Sequence, residues 1–226
     1  MGKVHEIPRD EAAPFLMEWH YMTYVPTKTT IKYWGYRDED GLACVIAYNP
    51  YPVNQYVAKK MFGDDWKAHL KVWELSRMAC RNECPKLTES MFLSRILTEL
   101  RKLGCDAVVS YADMEQEHEG TIYRATNWHY TGLVAPNPKF LVDGCITGRG
   151  VPPDAPCEPG CTWPEGNRIE VNWRQCRHKW GKSHEGGLRP ILGDRLIVLP
   201  GHGKHRFVRP LTAKARRMFR RENIVT

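Results

Sequence analysis

The stretch from residue 88 to residue 111 constrains the fold more than any other part of the sequence. Phe92, Ile96, Leu100 and Leu103 recur at spacings of four, four and three, which places them on one face of a helix. Thr88 stands where a helix N-cap belongs, and Gly104 stands where a helix stops. Directly after that glycine comes a segment, 105–111, whose centre Ala107-Val108-Val109 is continuously apolar. That is the signature of a strand covered on both faces. A helix feeding such a strand belongs in a sheet packed between helices.

The same alternation runs through the first part of the chain. Residues 4–7 read as a short strand and 11–20 as a helix after Asp10. Residues 31–37 and 42–48 read as two strands joined by Asp38-Glu39-Asp40-Gly41, a hairpin signal. A helix over 53–62 ends at Gly63, and a strand over 70–78 leads toward the 89–103 helix. Residues 120–126 read as a short helix and 128–134 as a strand. The expected class is α/β (α+β), a mixed central sheet covered by helices, with 1–142 as its core. Pro and Gly accumulate over 137–166, a long excursion. Strands are expected at 168–173 and 195–199, and a basic helix at 211–222. Residues 143–226 are thus expected to form an excursion and a C-terminal extension packed on the core.

Bulk properties narrow the function classes. With 226 residues the chain can bury a full core, with room for a small appendage. Lys and Arg number 33 against 26 Asp and Glu, a net charge of +7. That surplus fits a polyanionic partner and fits a merely solubilising charge equally well. No apolar run reaches membrane-spanning length, and the N-terminal residues carry no signal-peptide apolar core, so a cytoplasmic protein without a membrane partner is expected. The eight cysteines then read mostly as reduced, buried small hydrophobes.

Several segments carry chemistry. Residues 111–128 begin where a buried strand ends, the place where α/β sheets gather ligands. Asp113, His118 and Tyr123 would sit near one mouth there, and carboxylate, imidazole and phenol are the groups that manage protons during attack by an amine. The alternative is that Asp113 and Thr121 only cap the next helix. Arg77, near the end of another strand, could hold a phosphate or carboxylate, or simply pair with Glu74. His20, between Trp19 and Tyr21, has little weight alone. Cys157, Cys161, Cys176 and His178 form a candidate structural zinc set. The alternative is incidental cysteines in a loop, and Cys80 with Cys84 is a weaker pair. Lys214, Arg216, Arg217, Arg220 and Arg221 offer contacts to backbone phosphates. Trp163, Trp173 and Trp180 would either stack on bases or pack.

The motif series is more specific than any single motif. Trp19-His20-Tyr21, Glu74-Leu75-Ser76-Arg77, Thr88-Glu89-Ser90, Ser110-Tyr111-Ala112-Asp113 and Gly120-Thr121-Ile122-Tyr123-Arg124-Ala125-Thr126-Asn127 occur in one order. They are followed by residues 171–181, Ile191-Leu192-Gly193-Asp194 and Gly203-Lys204-His205-Arg206-Phe207. This series resembles that of the bacteriophage Mom family over most of the chain. The resemblance implies a GNAT-like acyltransferase fold and a transferase that converts adenine N6 in DNA to an acetamido (methylcarbamoyl) derivative, protecting phage DNA from restriction in the bacterial host cell.

Carried onto this sequence, the resemblance implies functional roles for His20, Tyr21, Arg77, Ser90, Asp113 and Tyr123. Asp113 and Tyr123 would handle the amino proton, His20 and Tyr21 would line the base pocket, and Arg77 and Ser90 would hold the donor. It also implies an iron requirement, with His20, Asp113 and His118 as candidate ligands. Lys204 and Arg206 join the basic tail as expected DNA contacts. The expected partner is double-stranded DNA with the adenine flipped out of the stack; a homodimer is left open. One departure bears on the donor, an acetyl-CoA or another acyl- or glycyl-type compound. The loop at 79–87, where GNAT enzymes carry glycine to bind a diphosphate, has no glycine, and Pro85 has no N–H to donate. Arg81 and Asn82, with Lys86, are the residues there that could compensate. Two other readings stand beside this one: a conventional GNAT N-acetyltransferase acting on protein, RNA or a small amine, and a non-catalytic nucleic-acid-binding protein on a GNAT-like scaffold.

Overall fold

The structure is a computed structural model that describes residues 3–21, 25, 31–52, 54–134, 136, 138–143, 168–171, 176–177 and 180–225. In chain order its elements are β1 (Val4–Ile7), α1 (Arg9–Trp19), β2 (Lys32–Asp38), β3 (Gly41–Asn49), α2 (Gln55–Phe62), α3 (Trp66–His69), β4 (Val72–Cys80), α4 (Thr88–Lys102), β5 (Ala107–Asp113), α5 (Thr121–Ala125) and β6 (His129–Val134). There follow β7 (Lys139–Asp143), β8 (Arg168–Val171), α6 (Glu185–Leu192), β9 (Leu196–Leu199), β10 (Lys204–Pro210) and α7 (Ala213–Met218).

Two compact units result, 1–134 together with 204–226, and 135–203. This division differs from the expected 1–142 core followed by an extension. The chain leaves the first unit after β6 and returns to it at Lys204. The first unit holds a seven-stranded sheet in the order β1-β2-β3-β4-β5-β10-β6. All neighbours run antiparallel except β4 and β5, which are parallel.

Residue type explains why β5 lies at the centre. Val108 points into a core shared with Phe92, Leu93, Ile96 and Leu100 of α4, while Ala107 and Val109 point into a second core with Val57, Met61, Trp66 and Phe219. Alternate residues of one strand thus bury on opposite faces, each large apolar side chain contributing about 1.5–3 kcal/mol. On α4 the apolar face runs as expected through Phe92, Ile96 and Leu100, but Leu103 falls past the last turn and is 52% exposed. Gly104 takes the left-handed conformation at φ 83°, which only glycine adopts at no steric cost. The start of α4 differs from expectation too. Leu87, itself left-handed at φ 73°, is the cap position, and Thr88 is the first helical residue, its Oγ1 donating to the Pro85 carbonyl at 2.7 Å.

β10 is the element that composition conceals. It pairs with β5 from Lys204↔Asp113 to Pro210↔Ala107, and with β6 on its other side. Phe207 and Val208 are fully buried. Arg206 is buried as well, donating from Nε to Thr131 Oγ1 at 2.8 Å and from Nη2 to the Thr131 carbonyl at 2.6 Å. It is therefore a cross-strand tie and not a DNA contact, because both donor groups serve β6. The expected basic helix is shorter than 211–222 and spans α7 alone.

The second unit is a three-stranded antiparallel sheet, β8-β7-β9, with α6. Its core contains Phe140, Val142, Cys176, Trp180, Leu188 and Leu196. Trp180 is therefore a packing residue. Cys176 is a buried free thiol, while Cys157, Cys161 and His178, like Trp163 and Trp173, lie outside the described residues. The reading of reduced cysteines is corrected at one pair. Cys44 and Cys80 stand directly opposite on β3 and β4 and form a disulfide, because the register places both side chains on the same face.

Candidate active site

The parallel pair opens into a cleft. β4 and β5 pair at only three positions, Val72↔Ala107, Trp73↔Val108 and Glu74↔Val109, and then part. At that point β4 carries a bulge, since Arg77 faces Ala47 and Leu75 faces Tyr48, leaving Ser76 as the extra residue. The Ser76 hydroxyl donates to the Ala47 carbonyl at 3.1 Å, fixing the irregularity. A bulge re-aims the side chains beside it, and Arg77 lines the cleft. Ser110 Oγ, 3.4 Å from the Leu75 carbonyl, makes the last link between the two strands. Beyond it lies a cavity of about 470 Å³ walled by residues 75–80, 110–112 and 117–123, with Trp19, His20 and Tyr21 closing one side.

Three ionisable groups, His20, Tyr21 and Asp113, meet in or beside this cleft. His20 stacks on Tyr21 with ring centroids 4.3 Å apart, and Tyr21 meets His118 edge-on at 5.7 Å. Burial, followed by the nearby Arg77, His118 and Lys204, pulls the His20 pKa down to about 4. The imidazole is therefore neutral at pH 7 and can accept a proton. Burial and then the Asp113 carboxylate push Tyr21 up to about 12, so its hydroxyl keeps its proton and donates toward Asp113 Oδ2 at 3.5 Å. Burial alone would raise the Asp113 carboxyl. The hydrogen bond and charge of Lys204, the Glu115 N–H and the Tyr21 hydroxyl outweigh it and hold the group below its usual value. Lys204 Nζ lies 2.7 Å from Asp113 Oδ2.

Tyr123 is a different kind of phenol. It is 6% exposed, wedged between Trp128 at 5.1 Å and Phe207 at 4.9 Å, with its hydroxyl 2.8 Å from Ser110 Oγ. Burial pushes it up to about 12, partly offset by the Ser110 hydrogen bond. Gly120 precedes α5 at φ 79° with Phe207 directly against it; a Cβ there would lie 2.3 Å from the ring.

A family model for the Mom protein family matches residues 2–152, about two thirds of the sequence. The chain belongs to the Mom protein family. No curated protein sequence matches it. Among solved structures, Arabidopsis thaliana NAA60 in complex with acetyl-CoA superposes with TM-score 0.54 at 6% identity, covering 93% of this chain and 98% of that one. A Bacillus subtilis acetyltransferase in complex with CoA is similar at TM-score 0.47 and 11% identity, over 94% of this chain and 100% of that one. The fold of this Mom family member is thus GNAT-like, in agreement with the class expected from sequence.

The cleft brings His20, Tyr21, Arg77 and Tyr123 together, with Asp113 at its edge through Tyr21 and Lys204. Lys204, expected to touch DNA, instead pairs with Asp113, because β10 places the two in register. The other expected donor residues lie apart from the cleft lining. Arg81 makes a two-oxygen ion pair with Asp38 at 2.6–2.7 Å. Asn82 is an exposed turn residue, and the Ser90 hydroxyl donates to the Leu87 carbonyl at 3.0 Å. Among the described residues no three His, Cys, Asp or Glu side chains come together to hold a metal. The expected iron set of His20, Asp113 and His118 does not converge, and the Asp113 carboxylate is paired with Lys204. The pairing of Lys204 with Asp113 was not foreseen, because the two lie 91 positions apart in the chain.

The residues before α4 do not fit a diphosphate. Cys84 and Thr88 N–H groups donate inside the loop, to Arg81 and Pro85 carbonyls. Asp38, Glu39, Asp40 and Glu83 line the outer side of that loop, against only Arg81 and Lys86. Glu89, in the first turn of α4, adds a carboxylate on the cleft side.

Proposed function

We propose that this Mom family member is a transferase that modifies the N6 amino group of adenine in DNA, with the acetamido (methylcarbamoyl) product that its family resemblance implies, and that the modification protects DNA from restriction. The observation that carries this reading is the cleft between β4 and β5, where a neutral imidazole, a protonated phenol and a lysine-held carboxylate meet. Forming a new bond to N6 requires that N6 lose one proton. His20, unprotonated at neutral pH, is the group in the cleft that can take it. Tyr21, held between His20 and Asp113, orients the base through its ring and its hydroxyl. Arg77 supplies positive charge for the donor, and buried Tyr123 can return a proton to the departing group.

A base stacked inside a duplex cannot enter the cleft, so the adenine is flipped out before reaction. The exposed Lys214, Arg217, Arg220 and Arg221 meet the DNA backbone. The donor is a compact acyl- or glycyl-type compound, because the loop before α4 has no glycine, carries Pro85 without an N–H, and is lined by more carboxylates than cations, which does not suit a coenzyme A diphosphate. Binding measurements test the donor. Acetyl-CoA is expected to bind weakly and without dependence on Arg81. Tight binding that Arg81→Gln abolishes, with no DNA product, would instead favour a conventional N-acetyltransferase. Function itself is tested by digesting DNA from cells that express the protein and weighing the nucleosides. A heavier deoxyadenosine is expected; unmodified DNA from well-expressed protein would move the acceptor to another amine.

A further inference from the structure

A second polar depression opens at the other end of α5. It is a groove of about 250 Å³ between the C-terminal half of α4, the turn after α5 and the junction of β10 with α7. Arg101, Arg209 and Arg216 line it, and no carboxylate does. Arg209 is fixed from behind. Its Nη1 donates to the Asn127 carbonyl at 2.6 Å, and Asn127 sits in the left-handed region at φ 60° to present that oxygen. Its Nε is buried with no hydrogen-bond partner among the described residues. Burial and then the neighbouring Arg216 lower the Arg209 pKa, a sign that like charges are packed together.

The carboxylate that reaches this junction is already committed. Asp106 accepts from Thr212 Oγ1 at 2.8 Å and from the Lys71 N–H at 2.9 Å. Close guanidiniums without a counter-charge repel one another, and an anion held between them removes that penalty. The cationic face continues past the groove, where Arg209 and Arg221 both act on His129.

We propose that this groove is a phosphate subsite for a nucleic-acid backbone, with Arg101, Arg209 and Arg216 closing on one phosphodiester. The inference rests on the reading of DNA as the substrate and assigns part of its binding to residues outside the cleft. The spacing suits a duplex. Glu89 borders the cleft and Arg101 follows twelve residues later on the same helix, a separation of about 18 Å. That is about five base-pair steps along DNA. A duplex with its flipped adenine in the cleft can therefore lay a backbone phosphate in the groove.

The test is the salt dependence of full-length protein binding to a short DNA duplex, followed by fluorescence anisotropy. The double variant Arg101→Gln/Arg216→Gln alters two exposed side chains and is compared with Lys32→Gln, a surface change on β2. Loss of the contact to this one phosphodiester is expected to lower the slope of log K against log salt by about 1 and to weaken low-salt binding by at least roughly tenfold. Lys32→Gln is expected to leave both unchanged. Wild-type binding with an unaltered slope in the double variant overturns the groove alone. Absence of any wild-type binding overturns the DNA reading together with it. A parallel thermal-shift arm uses inorganic phosphate. Stabilisation of wild type but not of the double variant, with an unchanged DNA slope, would assign the site to a free phosphate and overturn the backbone proposal.

Discussion

The two ends of α5 treat charge in opposite ways. At its start, in the cleft, opposite charges meet: Lys204 holds Asp113 at 2.7 Å, and burial, then a positive surrounding, keeps His20 neutral. At its end, in the groove, like charges meet: Arg209 packs near Arg216 with no carboxylate lining the space. The first arrangement settles its own charges and leaves groups poised to pass a proton. The second leaves positive charge unsettled and is completed by an anion from outside. Both are built from the same two elements. β10 brings Lys204 to one end and Arg209 to the other, and Phe207 between them packs against Tyr123.

The contrast is broken most forcefully at the cleft. Asp113→Ala frees Lys204 and removes the acceptor of the Tyr21 hydroxyl; turnover should fall by about 10²–10⁴-fold while DNA affinity stays within a factor of about two. His20→Gln should cost turnover similarly. Single-turnover kinetics beside DNA-binding curves separates the two effects, and a loss of affinity matching the loss of rate would remove the cleft from the chemistry.

Gly120→Ala strikes the element that both ends share. The added methyl meets the Phe207 ring and forces a left-handed φ on alanine, so unfolding free energy should drop by about 3 kcal/mol in a denaturant titration. An unchanged midpoint would mean that Phe207 can yield.

A smaller effect is expected at the groove. Arg101→Gln/Arg216→Gln should raise the DNA concentration for half-maximal rate by roughly tenfold with kcat unaltered. A fall in kcat would place the groove in the reaction itself.

The smallest effect is in pH. The folded His20 value of about 4 lies below the ordinary 6.5. Between those values the unfolded chain binds the proton more readily, so stability rises with pH across that window and is lost as pH falls through it. His20→Gln should flatten that part of the stability profile. The Asp113 contribution is also lost on acidification, lies at lower pH and is common to both proteins. Identical profiles would mean that His20 is solvated.

Much of the cleft was legible because its groups sit at strand ends and helix starts, where local signals are strong. The hairpin turn, the apolar face of α4 and the buried centre of β5 all follow from spacing that a few neighbouring residues define. β10 left no such trace. Lys204-His205-Arg206-Phe207-Val208-Arg209-Pro210 looks like a basic tail, and its strand character comes from partners 70 to 103 positions away. For the same reason Arg206 and Lys204 looked like surface cations, when one ties β10 to β6 and the other holds Asp113. The bulge at Ser76 was equally hidden, since it exists only in the register of β4 against β3. The arginine groove gathers three distant segments, so no stretch of sequence displays it.

The division of labour between cleft and groove is tested most directly by nucleoside mass spectrometry of DNA treated with wild type, Asp113→Ala and Arg101→Gln/Arg216→Gln, each at limiting and saturating enzyme. The account predicts a heavier deoxyadenosine with wild type, a level lower by about a hundredfold or more with Asp113→Ala at limiting enzyme, and a deficit with the groove variant that saturating enzyme restores. Modified deoxyadenosine at the wild-type level from Asp113→Ala would contradict it.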